Sequence, residues 1–203
     1  MNKYKTFDIR NMVLLAFLTA IVIATQYLAI LTRPLFPMFS ISLVLMPIVI
    51  GAALIGVYAG AWLGLVFGFT VLISGDAALF MYWSPLYTVI IVLLKGVLAG
   101  AAAGYVYKLI VKAGKIKAAI TAAIVCPVVN TGIFIIGAYA FFLPEITAMG
   151  MEDGFTSATA YIFLVFVGLN FLVELGINLF LCSPIVSLIH YGKKQQPDEN
   201  PNL

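Results

Sequence analysis

ISLVLMPIVIGAALIGVYAGAWLGLVFGFTVLISG, residues 41–75, is an apolar run of 35 residues without a single charge. As one α-helix it would measure roughly 52 Å at about 1.5 Å per residue, against a bilayer hydrocarbon core of about 30 Å. The run is therefore read as two helices, with Gly51 and Gly56 offering the turn. Four further apolar runs, 11–31, 86–107, 118–143 and 160–190, are each long enough for one span.

The composition agrees. Of 203 residues 64% are hydrophobic and 9% charged, where a soluble domain carries about 25% charged residues. The first run follows Lys3, Lys5 and Arg10 and has the outline of a signal peptide, but its length and the spans after it predict a retained anchor. Splitting residues 41–75 also orders the charges. Lys108, Lys112, Lys115 and Lys117 then share a side with the basic N-terminus and with Lys193 and Lys194. Arg33, Glu145, Glu152 and Asp153 fall on the other side. That asymmetry is the positive-inside rule. The expectation is an all-α integral membrane protein of six transmembrane helices with both termini cytoplasmic. Its parts are a cytoplasmic N-terminus at 1–10, a six-helix transmembrane domain at 11–192 and a disordered cytoplasmic tail at 193–203.

Lys95, in VLLKGVLAG, lies far from either end of its span. A charge at mid-span costs about 2.5 to 3.5 kcal/mol on insertion scales, so it faces a protein interior or a wet cavity and needs a partner. In the last span Asn170, Glu174 and Asn178 recur every fourth residue and share a helix face. Counted from the outer helix ends, Lys95 and Asn170 lie roughly 14 to 15 Å deep, Asn130 roughly 18 Å, and Glu174 one turn below Asn170. A polar layer thus crosses three helices. Lys95, Asn130, Asn170 and Glu174 either form an internal ion pair bridged by amides or surround a polar ligand; Asn178, the deepest, reads as helix glue.

Two predicted outer loops add aromatic surface. TRPLFPMFS, 32–40, contributes Arg33 and two prolines, and SGDAALFMYWSPLY, 74–87, concentrates Phe80, Tyr82, Trp83 and Tyr87. Such aromatics form either a membrane-interface belt or a lid that stacks on a flat ligand. Glycines recur every fourth residue at Gly56, Gly60, Gly64 and Gly68 and again at Gly96, Gly100 and Gly104, as do Ala16, Ala20 and Ala24. The glycine faces read as close packing within the chain, and the alanine face as a contact with another protein.

Other chemistries find little to use. Cys126 and Cys182 sit inside apolar runs and read as packing residues, so no metal site or cofactor is expected. His190 is the only histidine, and neither H-E-x-x-H nor G-x-S-x-G occurs, which argues against an enzyme. The absence of G-x-x-x-x-G-K-[ST] and of a convincing inverted repeat means that energy for transport must come from elsewhere.

The basic N-terminus before an A-x-x-x-A face, ISLVLMPIVIGA, GAWLGLVFG, LLKGVLAGAAAGYVYK and NFLVELGIN together resemble the substrate-binding S components of energy-coupling factor (ECF) transporters over residues 10–192. The resemblance implies a multi-pass plasma-membrane protein that captures a vitamin or related micronutrient from outside. It implies a transmembrane T subunit and two ATPase subunits as partners, with Ala16, Ala20 and Ala24 meeting the T subunit and the two aromatic loops closing over the ligand. No nucleic acid is involved. The alternative is a self-sufficient homo-oligomeric secondary transporter or channel that uses Lys95 and Glu174 in a relay. The ligand stays open: an available Lys95 suits an anion such as pantothenate, and a neutralised one suits a flat neutral molecule such as riboflavin.

Overall fold

The structure is a computed structural model that describes residues 9–32, 43–168 and 171–182. Among these residues every regular element is helical. Helix α1 is Ile9–Thr32, α2 Leu45–Leu54, α3 Val57–Ile73, α4 Ala78–Trp83, α5 Pro85–Ile110, α6 Lys115–Phe141, α7 Leu143–Glu152 and α8 Ala158–Tyr161. A π-helical stretch, Ile162–Gly168, follows α8, and α9 covers residues 171–182. Arg33, Asn170 and the predicted tail at 193–203 lie outside the described residues.

The long run at 41–75 divides where its length requires. Gly56, between α2 and α3, has φ of 132°, a conformation that a side chain would strain. Gly51 is not part of the turn. It lies within α2, where a Cβ would collide with the Leu63 side chain of α3, so its role is close packing. Four stretches are long and apolar enough to cross a membrane: Ile9–Leu31, Pro85–Ala113, Lys115–Phe141 and Ala158–Cys182. Leu45–Leu54 and Val57–Ile73 are apolar but shorter. Two elements were not expected from the sequence. Short α4 forms inside the predicted aromatic loop, and α7 follows α6 on the side that carries Glu145, Glu152 and Asp153.

The most extensive helix contact joins α3 to α5. They run antiparallel with Gly60 against Gly100 and Gly64 against Gly96, and in each pair a Cβ would run into the other residue's carbonyl oxygen. Gly68 lies against Val92, and Gly104 against Val57, so the same register holds along the whole pair. Both glycine series are thus packing surfaces, as their spacing predicts. On the other side of α5, α6 offers a small-residue face of Ala118, Ala119, Ala122, Ala123 and Cys126, all fully buried. Large apolar side chains such as Ile73, Leu164 and Phe180 point outward, the inside-out pattern of a chain whose solvent is lipid.

Lipid supplies no hydrophobic drive for one helix to bind another, so small residues that permit backbone approach carry the association. Gly64→Leu is expected to part α3 from α5 and lower the midpoint of thermal unfolding in detergent, since overpacking costs about 1 to 3 kcal/mol even where neighbours are side chains. Gly132→Ala, at a helix position with nothing within 4 Å of the added methyl, is expected to leave the midpoint unchanged. Equal midpoints for the two variants would refute the glycine register.

Candidate functional site

A cavity of about 360 Å³ lies between the helices. Its lining draws on several elements: Gln26 and Ala29 from α1, Phe67 and Val71 from α3, Asp76 and Phe80 from the α3–α4 turn and α4. Thr88, Ile91 and Lys95 come from α5, and Asn130, Thr131 and Phe134 from α6. Phe142, Phe166 and Val167 continue the wall, and Phe171 and Glu174 of α9 close it.

Lys95 reaches this space from the glycine-packed middle of α5. Its Nζ lies 5.7 Å from the ring centroids of both Phe67 and Phe134, within cation–π range of two rings. Glu174, 8% exposed, lines the same cavity. Asn130 is equally buried, and its Oδ1 has no hydrogen-bond partner among the described residues. The cavity therefore brings together Lys95, Asn130 and Glu174, as the depth estimates anticipate. Asn178 lies a turn deeper and off the cavity. Its Nδ2 donates to the Glu174 carbonyl at 2.9 Å, and the Cys182 thiol stands 3.6 Å from Asn178 Oδ1 and 3.8 Å from the Met46 carbonyl of α2. Both Asn178 hydrogen bonds thus stay within α9, and the contact that reaches α2 is made by the Cys182 thiol, so Cys182 is more than a filler of space.

The outer wall is aromatic, but the residues differ from those the sequence pointed to. Phe80 is the hub, with ring centroids 5.3 Å from Trp83, 5.5 Å from Phe134, 5.3 Å from Phe142 and 5.5 Å from Phe166. Because residues 78–83 are helical, Phe80 and Trp83 share an inward side while Tyr82 points away and is 87% exposed. Trp83 sits behind Phe80 and against Phe142, outside the lining. Tyr87 stacks on Phe141 at 4.3 Å and faces outward. Tyr82, Trp83 and Tyr87 thus stand outside the described lining, Trp83 as a support behind it and the two tyrosines pointing outward.

Sequence reasoning missed the polar rim. Gln26 Nε2 donates to Asp76 Oδ2 at 3.0 Å, joining α1 to the turn before α4, and Gln26 is only 2% exposed. An amide in the middle of the first apolar run was the available signal. On α1 the buried residues Leu18, Val22, Gln26 and Ala29 form one side, while Ala16, Ala20 and Ala24 are all exposed on the other.

If Lys95 and Glu174 are a mutually stabilising pair, removing one partner leaves a charge alone at membrane depth. Glu174→Leu is expected to lower stability by about 3 to 5 kcal/mol, and Lys95→Met with Glu174→Leu to recover most of that loss. Thermal unfolding of the purified variants measures both. A double variant no more stable than Glu174→Leu would show that the two charges are not coupled.

No curated protein and no solved structure matches the chain. A family model does: that of the ECF transporter substrate-specific component matches residues 10–186. The match takes in every helix from α2 to α9 and nearly all of α1, together with the whole lining of the cavity. The chain is an apolar membrane protein of the transport class and belongs to the ECF transporter substrate-specific component family.

Proposed function

We propose that this protein captures a vitamin-sized micronutrient at the outer side of the plasma membrane and holds it in the cavity between α1, α3, α5, α6 and α9. The observation that carries this reading is a partly open cavity between the helices whose lining combines Lys95, Glu174 and an unsatisfied Asn130 with phenylalanine rings. Charged and amide groups at that depth are costly unless they serve a partner or a ligand. Six spans with both termini cytoplasmic fit the six apolar segments and their flanking charges.

Size and polarity narrow the ligand. At about 30 Å³ per water in the liquid, the cavity holds on the order of a dozen waters, which suits one small molecule. Its flat apolar part fits beneath Phe80, Phe134 and Phe166, with its polar part at Lys95, Asn130 and Glu174. One basic and two acidic side chains, Lys95 with Asp76 and Glu174, line the described wall. Of the two ligand classes the sequence left open, that balance supports the neutral flat molecule over the anion.

Transport then requires an energy source and a docking partner. We assign these to a transmembrane T subunit carrying two ATPase subunits, which dock against the exposed stripe of Ala16, Ala20 and Ala24. Arg33 and Asn170 complete the proposed ligand contacts.

Mass spectrometry of small molecules extracted from the purified protein tests the capture reading. A single compound with a planar ring system is expected, at close to one per protein. Recovery of lipid and detergent alone, across several purifications, would sink it. With that compound in hand, Ala20→Trp is expected to abolish its uptake by cells while leaving its affinity for the purified protein within about twofold, because the change blocks helix approach on the side away from the cavity. Normal uptake by the Trp variant would remove the alanine stripe from the partner interface.

A further inference from the structure

The helix before Phe171 does not keep α-helical spacing. Ile162–Gly168 is π-helical, with each turn widened so that an N–H meets the carbonyl five residues earlier. Burial follows that five-residue repeat: Ile162 is fully buried and Val167 is 8% exposed, while Phe163, Leu164 and Val165 between them all face outward. Ring contacts follow it as well, since Tyr161 and Phe166 meet at 5.4 Å, and Phe166 and Phe171 both line the cavity.

An α-helix extended upward from Phe171 and Glu174 would present residues three and four apart: Val167, then Leu164 and Phe163. Phe166 would turn roughly 100° off that side. The wide turn keeps Phe166 and Val167 at the cavity, as α5 does with Ile91 and Val92 and α6 with Asn130 and Thr131, and does so with Tyr161 and Ile162 still buried five residues earlier. Phe166 then reaches Phe80 at 5.5 Å and Phe134 at 6.3 Å, closing the aromatic wall between α4 and α6. Outside it, the Tyr161 hydroxyl donates to Asp153 Oδ2 at 2.6 Å and its ring packs over Gly150, which ties the start of the π turn to α7.

We propose that the π-helical turn Ile162–Gly168 is a specificity element of the cavity, holding Phe166 and Val167 against the captured molecule while Tyr161 and Ile162, five residues before each, stay buried on the same side. The assignment rests on the capture reading above. Phe166 is a positioning and selecting residue: it narrows the space under Phe80, so that a flat molecule enters edge-on between rings.

Single cysteines at four positions, probed with a cationic membrane-impermeant methanethiosulfonate in intact cells, test the register without any ligand. The native Cys126 and Cys182 are fully buried and give a quiet background. Phe166→Cys and Val167→Cys are expected to react at least about tenfold faster than Phe163→Cys and Leu164→Cys, because a thiol must be reachable from water to react. Fast reaction at Phe163→Cys with a silent Phe166→Cys is the α-helical pattern and would overturn the proposal. Phe163→Cys alone decides the matter if the Phe166 variant is not recovered folded, and a silent Val167→Cys would remove this wall from the cavity.

Selectivity is read from the small molecules retained through purification. Phe166→Ala is expected to retain at least about tenfold less of the parent's compound, a loss of about 1.4 kcal/mol or more, with Phe166→Tyr restoring it and Phe163→Ala unchanged. Unaltered retention by Phe166→Ala would overturn the selecting role. If the parent retains no compound while the labelling pattern holds, the capture reading fails and the π register stands.

Discussion

The direct backbone contact between α3 and α5 is the constraint on which the remaining structure depends. Gly60 and Gly64 lie against Gly100 and Gly96 with no side chain between them. In lipid, such contact replaces the hydrophobic collapse that assembles a soluble protein. It also fixes a register, and the register builds the site. Phe67 stands one turn after Gly64, and Lys95 immediately precedes Gly96, so seating the two glycines brings the Lys95 ammonium to the face of the Phe67 ring. A slip by one residue would turn both side chains to other directions.

What keeps the cavity open against close packing is the stiffness of its lining. Phenylalanine has few rotamers, and the rings of Phe80, Phe134, Phe142 and Phe166 brace one another largely edge to face. The charges have the same architectural consequence. A lysine amine set against two rings, in a cavity that Glu174 also lines, resists replacement by methylene groups, because collapse around it would leave it unsatisfied in a low-dielectric interior. A polar floor and an aromatic roof therefore make the void a property of the fold.

Much of this was legible in the sequence, for physical reasons that also mark where legibility ends. Hydrocarbon thickness forces a break in residues 41–75, and Gly56 provides it. Helical rise converts sequence distance into depth, which correctly grouped Lys95, Asn130 and Glu174. Depth carries no azimuth, however, so it does not reveal that Gln26 and Asp76 meet across 50 residues of sequence. The composition of 74–87 reads as a loop, and only the helical turn at Ala78–Trp83 separates inward Phe80 from outward Tyr82. The π turn at Ile162–Gly168 lies beyond periodicity arguments, because seven residues cannot distinguish a repeat of five from a repeat of 3.6.

Helix α1 shows how one element can serve two surfaces without mixing them. Gln26 and Ala29 reach the cavity, with Val22 buried a turn earlier, while Ala20 and Ala24 are exposed. Two residues along an α-helix turn about 200°, so Val22 and Ala24, or Ala24 and Gln26, point to nearly opposite sides of the same rod. The hydrogen bond from Gln26 to Asp76 fixes the rotation of that rod against the turn that leads into α4 and Phe80. A helix rotates as a unit, since its hydrogen-bonded backbone does not let one side turn alone. The alanine stripe and the aromatic roof are therefore held in one fixed angular relation, to which the Gln26–Asp76 bond at the cavity rim, the Trp62 Nε1 donation to Thr19 Oγ1 and the burial of Leu18 and Val22 all contribute.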